Sequence, residues 1–138
     1  MATKSKHKLV IETNLWISFL LTTDYSKIDR FFSSENIKLL FSQELLEEFI
    51  EVAQRPKFRK YFSLSDLEEL LTRVRAKAEF ISVTSIIEMC RDPKDNFLLA
   101  LTKDGKASYL ITGDKDLLVL KNIGKSKIIT LTEYLSKK

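Results

Sequence analysis

The sequence predicts an α/β domain in three layers, with a central, mainly parallel sheet of about five strands flanked by helices. Short, unbroken apolar runs carry that prediction: "KLVI" (8–11), "IKLLF" (37–41), "EFISV" (79–83), "SYLIT" (108–112) and "SKIIT" (126–130). Strands of a parallel sheet are covered on both faces and read as continuous hydrophobic segments rather than alternating ones. Helix-patterned stretches separate them, as crossover connections require. The composition agrees. With 44% hydrophobic and 30% charged residues but only 3 Gly and 2 Pro, little material is left for linkers. One domain is expected over 1–138, with a basic arm at 1–7.

Each element has local reasons. After the first strand, a helix is expected from about Asn14 to Leu21. Asp24 caps a second helix over 24–34, with Ile28, Phe31 and Phe32 on one face. Ser42 caps a helix over 42–55, and "SLSDLEELLTRVRAKA" (63–78) follows behind its own serine cap. The helix over 92–105 has Asp92 at its N-cap, Pro93 at its first position and Gly105 just past its end. A short helix follows at 114–120, and "LTEYLSKK" closes the chain as another. Trp16, inside the first helix, reads as core rather than as a platform for a nucleobase. The apolar segment "FRKYFSL" (58–64) either packs in the core or buries against a second subunit.

A net charge of +4 permits nucleic-acid binding without demanding it. The segment "MATKSKHK" reads as a solvated tail, and His7 within it has no partner to make it catalytic. The single cysteine, Cys90, has no partner for an internal disulfide. It reads as buried or semi-buried filler, and a reducing cytoplasm is the expected setting. A basic start before apolar residues is signal-peptide-like, but Glu12 and Asn14 interrupt the apolar stretch and no small-residue cleavage site follows. The run "LWISFLL" is too short to span a bilayer, so no membrane partner is expected.

Open α/β sheets bind ligands beyond the carboxyl ends of their strands. Acids stand there: Glu12 after the first strand, Asp114 and Asp116 after the fourth. Asp95 occupies the first turn of the 92–105 helix. The 42–55 helix offers Glu44, Glu47, Glu48 and Glu51. A turn of about 100° per residue puts Leu45, Leu46, Phe49, Ile50, Val52 and Ala53 on its buried stripe. Glu48 borders that stripe between Leu45 and Val52 and is the best placed to turn inward; Glu47 borders it less closely. Each acid alone has an ordinary explanation. Asp92 is a cap, Asp95 lies in the favourable field of a helix dipole, Asp114 or Asp116 caps the next helix, and Glu48 is surface charge.

Together the acids map to one edge of the sheet. Two unit charges 4 Å apart repel by about 4 kcal/mol at an effective dielectric near 20, against a domain stability of roughly 5–15 kcal/mol. Such acids share protons or hold a cation. An all-oxygen set favours Mg²⁺ or Mn²⁺ over zinc, and an ion of that kind suits phosphodiester hydrolysis.

The segments "VIETNLWISFLL", "SQELLEEFIEVAQRPKF", "CRDPKDNFLLALT" and "YLITGDKDLL" occur in this order. Through them the chain resembles the PIN-domain family over about 8–135, in particular the stand-alone bacterial PIN proteins that form the toxin component of toxin–antitoxin systems. The resemblance implies a three-layer PIN-like fold and a Mg²⁺- or Mn²⁺-dependent ribonuclease. It also implies RNA as substrate, an antitoxin protein as partner, and a homodimer. By motif position it makes Glu12, Glu48, Asp95 and Asp114 the catalytic, metal-holding acids, with Asp116 as a further ligand and Asp92 as an accessory. Thr13 and Asn14 match the polar pair after the first acid, and Thr112 the threonine before the last ones. Asn14 has two readings, orienting a carboxylate or water or capping the helix. Lys115, Arg55 and Lys57 are candidates for phosphate contact, with surface solvation as the alternative.

In one place the chain departs from the family pattern. The first motif normally reads Asp-Thr-Asn, and here it reads Glu-Thr-Asn. Glutamate is longer by one methylene, about 1.5 Å, whereas Mg²⁺ demands near-octahedral geometry at about 2.0–2.1 Å. Three readings stand side by side: a site adapted to Glu12, a weak or altered activity, or an inactive member that binds RNA or an antitoxin. A phosphate-signalling receiver, from a different class, is disfavoured by acids on four separate segments.

Overall fold

Strand β1 (His7–Ile11) is the axis of the sheet. In the computed structural model, which describes residues 7–22 and 26–136, Leu9, Val10 and Ile11 are all but sealed from solvent, so both faces of β1 are covered. It pairs in parallel with β2 (Ile37–Phe41) on one side. On the other side it pairs in parallel with β4 (Tyr109–Ile111). Beyond β2 lies β3 (Glu79–Phe80), and beyond β4 lies β6 (Ser126–Ile129), both parallel to their neighbours. β5 (Asn122–Ile123) closes the β6 edge in antiparallel sense. The order is β3-β2-β1-β4-β6-β5, six strands where about five were expected. β5 is two residues long, too short to leave an apolar run of its own.

The order changes direction at β1. The chain runs outward through β2 and β3, then returns to the far side of β1 with β4 and β6. The carboxyl ends of β1 and β4 are therefore the switch point, the place where open α/β sheets leave a crevice.

Eight helices complete the described fold: α1 (Thr13–Thr22), α2 (Ser26–Ser33), α3 (Gln43–Ala53), α4 (Pro56–Arg59), α5 (Leu64–Lys77), α6 (Pro93–Asp104), α7 (Lys115–Leu118) and α8 (Leu131–Ser136). The serine caps act as the sequence predicts. Ser42 Oγ accepts the Leu45 N–H at 3.0 Å, and Ser63 forms a reciprocal box with Asp66. Trp16 is core, with ring centres of Phe19 and Phe41 each 5.7 Å away. Phe31 is fully buried. The expected cap Asp24, the Ile28 side chain and residues 1–6 of the arm lie outside the described residues.

Four expectations need correction. His7 is not in a tail. It opens β1, donates its N–H to the Asn36 carbonyl at 2.7 Å and sets its ring edge-on to Tyr109 and Tyr134. The first helix runs as expected, over Thr13–Thr22, but its cap is not Asn14: the Glu12 carbonyl accepts the Leu15 N–H at 3.0 Å and the Trp16 N–H at 3.4 Å. Glu12 thus holds the cap position, and Asn14, exposed in the first turn, does not cap. The segment 58–64 divides: Phe58 and Phe62 pack on the core while Tyr61 and Leu64 stay exposed.

The fourth correction concerns "EFISV". The strand ends at Phe80, and a last ladder-like bond runs from the Ile81 N–H to Phe41 O at 2.8 Å. From there to α6 the chain is an extended strap held by side chains of that helix. Asp104 accepts the Thr84 and Ser85 N–H groups at 2.7 and 2.9 Å and the Ser85 hydroxyl as well. Asn96 accepts the Cys90 N–H at 2.7 Å and donates to its carbonyl at 2.9 Å. Ile81, Val83 and Ile87 pack on the core, a strand-like alternation in a segment that lacks a strand partner. Gly105 ends α6 in an ordinary right-handed conformation at φ −82°. Space is what calls for glycine: a Cβ there would sit 2.7 Å from Leu40 Cδ1 and 3.1 Å from the Leu101 carbonyl oxygen.

The strap clamp is testable. Hydrogen bonds from Ser85, first through its hydroxyl and then its N–H, hold the Asp104 carboxyl below its ordinary range. The stability it contributes is present above about pH 4 and lost as pH falls through the lowered folded value. Asp104→Ala is expected to lower the unfolding free energy by about 1–2 kcal/mol at pH 7, the low end for charged bonds at a solvent edge. Urea titrations of both proteins at pH 7 and pH 3 measure it. An equal gap between them at the two pH values would contradict the assignment.

Candidate functional site

The site assembles where the topology reverses. Glu12 follows β1 directly, and its N–H bonds to the Ile111 carbonyl of β4 at 3.1 Å, so the two strand ends are stitched together. Thr112, the next residue of the β4 chain, joins their acids. Its hydroxyl donates to Glu12 Oε1 at 2.8 Å and accepts the Asp114 N–H at 3.0 Å. Asp114 is in turn the N-cap of α7, its Oδ1 accepting the Asp116 N–H at 2.9 Å. Asp95 arrives from the first turn of α6, whose cap, Asp92, accepts the Lys94 N–H at 2.9 Å.

The result is a trio. Glu12, Asp95 and Asp114 each present a carboxylate oxygen, and these oxygens lie within 4.8 Å of one another. Glu12 and Asp95 are buried and Asp114 is half-buried. No lysine or arginine pairs with any of the three among the described residues. Burial raises the Glu12 carboxyl above its ordinary value; the Thr112 hydrogen bond opposes this, and the charges of Asp114 and Glu48 add to it. Asp95 is pushed up to about 6, first by burial and then by the charges of Asp114, Asp92, Glu12 and Asp116. The donor set is all carboxylate, buried and uncompensated, which fits a hard divalent cation.

The other expected site residues surround this trio. Glu48 stands beside it: Oε1 accepts the Thr13 hydroxyl at 2.8 Å, and Oε2 lies 3.5 Å from Lys94 Nζ. Thr13 and Thr112 thus flank Glu12, each tying down a different acid. Asn14, Asp92, Lys115 and Asp116 are exposed. Arg55 is engaged elsewhere, doubly bonded to Glu51 at 3.0 Å. Lys57 lies over the ring of its neighbour Phe58. Cys90 is a free thiol close enough to feel Asp95, but burial first and that charge second push its pKa up, away from nucleophile chemistry.

Sequence reading missed Lys94. Its signal is plain in retrospect: a cation between Asp92 and Asp95 on the first turn of α6 faces whatever acid the neighbouring α3 supplies. Asn96 and Asp104 were also missed, since side chains that hold a strap leave no periodic mark.

A mainly parallel α/β sheet with a carboxylate trio at its switch point defines an acid-cluster α/β protein. The family model for the PIN domain matches residues 8–116, and the chain belongs to the PIN-domain family. That is a family of nucleases that generally act on RNA with divalent metal ions. No curated protein and no solved structure matches the chain significantly. Among the described residues, no helix is long and apolar enough to cross a membrane.

The raised Asp95 value fixes a sign. Between the unfolded value near 4 and the folded value of about 6, the folded protein keeps a proton that the unfolded chain has released. Metal-free stability therefore falls as pH rises through that window and then levels off. Asp95→Asn removes this contribution, so the variant is expected to gain on the wild type between about pH 4 and pH 6. Thermal unfolding in EDTA across the range measures it; parallel curves for the two proteins would count against a strained, buried charge.

Proposed function

We propose that this chain is a metal-dependent endoribonuclease, and that it serves as the toxin of a toxin–antitoxin pair in the cytoplasm. The observation that carries the reading is the uncompensated trio of Glu12, Asp95 and Asp114 at the switch point of a PIN-family fold. In this reading Glu12, Glu48, Asp95 and Asp114 are catalytic and hold Mg²⁺ or Mn²⁺, with Asp116 as an additional ligand. A bound ion of that kind supplies Lewis acidity toward a phosphoryl oxygen and a low-pKa water.

The protein's own groups hold and orient. The Thr112 hydroxyl sets Glu12 and, through its acceptor side, positions the backbone of Asp114. Thr13 sets Glu48. Asp92 organises the first turn of α6 beneath Asp95. Asn14, exposed beside these acids, orients water or substrate. Lys115, between Asp114 and Asp116, meets an RNA phosphate; Arg55 does so from the rim after leaving Glu51. An antitoxin protein covers the site in the resting cell, and a second copy of the chain completes a homodimer.

The second reading is a silent RNA- or antitoxin-binding module, motivated by glutamate at position 12. The position of Glu12 favours the active reading instead. Its longer side chain still reaches the trio and is anchored at 2.8 Å by Thr112.

RNA cleavage with Mn²⁺, Mg²⁺ or EDTA is the deciding assay. Activity is expected with either ion and none in EDTA, and Asp95→Ala should lose at least about 10²-fold. Cleavage that persists in EDTA or in the variant would reject the mechanism. Glu12→Asp draws the carboxylate back by about 1.5 Å and is expected to give no gain, with a loss of up to about 10²-fold; a large gain would favour the weakened-site reading. Growth arrest on expression, relieved by co-expression of a neighbouring gene product, tests the toxin role.

A further inference from the structure

Between α3 and α6, next to the acids, runs a groove of about 250 Å³. Its floor is Leu45 and Leu98, both buried, and its walls are Pro93 and Phe97. Phe97 is half-buried, yet it is not part of the core cluster and pairs with no aromatic ring among the described residues. An aromatic side chain that packs on nothing central, beside a catalytic-type acid cluster, is available to a ligand. Glu44 lines the same groove, exposed, with no ion-pair partner among the described residues. Glu48 and Lys94 form the end nearest the trio, and the Glu48 charge is felt at Glu12.

We propose that this groove is a nucleotide subsite that takes a guanine base of single-stranded RNA next to the bond being cut. The proposal rests on the ribonuclease reading and deepens it. Single-stranded RNA is recognised by splaying bases onto aromatic faces and bonding their edges, and Phe97 supplies such a face. The groove is smaller than the roughly 300–1,000 Å³ of pockets for drug-sized ligands, which suits one planar ring better than the anchors of a docking helix. Lys94, mostly exposed at its tip and only 3.5 Å from Glu48, exchanges that contact for the flanking phosphate.

The base choice follows from Glu44. An ionised carboxylate only accepts hydrogen bonds, and it accepts two side by side. Guanine offers two adjacent donors, N1–H and N2–H, on its Watson–Crick edge. Adenine and cytosine offer one amino group beside a ring acceptor, and uracil flanks its single N–H with two carbonyls, so each sets an acceptor against the carboxylate.

Amide chemical shifts of the full chain in EDTA, titrated with GMP, IMP and UMP, test this without catalysis. GMP is expected to move the amides of Glu44, Leu45, Lys94, Phe97 and Leu98 and to bind about 10-fold or more tightly than UMP. IMP, which lacks the N2 amine, should fall between. Phe97→Ala should weaken GMP about 10-fold, and Glu44→Gln, at an exposed position, should bring GMP and UMP close together. Shifts confined to other surfaces, GMP and UMP binding within about 2-fold of each other, or no effect of Phe97→Ala would overturn the subsite. A groove silent to all three nucleotides would also overturn it and mark the face as a protein contact. RNA cleavage in Mn²⁺ separates the two proposals: cleavage with a silent groove sinks the subsite alone, and guanine-selective shifts without cleavage sink the ribonuclease reading while the groove still binds its base.

Discussion

The Thr112 hydroxyl is the joint on which the site turns. It donates to Glu12, which follows β1, and accepts from the backbone of Asp114, which follows β4. One side chain thus couples the two strands at the switch point and sets the separation of two like charges. That separation matters because the charges repel. At an effective dielectric near 20, each pair at about 4 Å costs on the order of 4 kcal/mol, a large share of a domain's stability. The fold carries the cost locally as resistance to ionisation: burial raises Glu12 above its ordinary value, and Asp95 is pushed up to about 6. It also surrounds the acids with rigid elements. β1 is sealed on both faces, and α6 is fastened by Asn96 and Asp104 to the strap that precedes it. The rigidity that lets a protein tolerate clustered charge also keeps the cluster from relaxing when no cation is there.

Much of this was legible before the structure. Unbroken apolar runs mark buried parallel strands, because the pleat has no solvent face to declare. Glu12 and Asp114 stand out because a polar residue at the end of such a run has no packing reason to be there. Asp95 was legible by its neighbours, since Asp92 and Pro93 fix where the helix begins and so place Asp95 within its first turn. Other features left no such mark. "EFISV" reads as a full strand, but how far such a segment keeps a ladder partner depends on where the rest of the chain lies; here pairing with β2 stops at Phe80 and α6 side chains hold the chain beyond it. His7 looked like tail because charge precedes it, and only the register of β1 against β2 shows it to be strand. The glycine at 105 marks the helix end in the sequence, but the packing that needs it is set by Leu40 from a distant strand.

Glu48 shows how two levels combine. Helix periodicity alone placed it at the border of the buried stripe, by a narrow margin over Glu47. The structure settles the choice of direction through Thr13, whose hydroxyl takes Glu48 Oε1, while Glu47 is turned to Gln43 at the surface. Thr13 lies one residue after Glu12, so one member of the polar pair after the first acid serves an acid on another helix. A short motif on one element can therefore preorganise a side chain some thirty-five positions away.

The extra methylene of Glu12 follows the same logic. A longer acid is harmful only if its carboxylate is free to choose among positions, because a site then loses the fixed geometry that a hard cation demands. Glu12 is not free. Its backbone N–H is bonded to β4 and its carboxylate accepts from Thr112. The trio closes to within 4.8 Å with glutamate in the first place, and Thr112 links that glutamate to the backbone of Asp114.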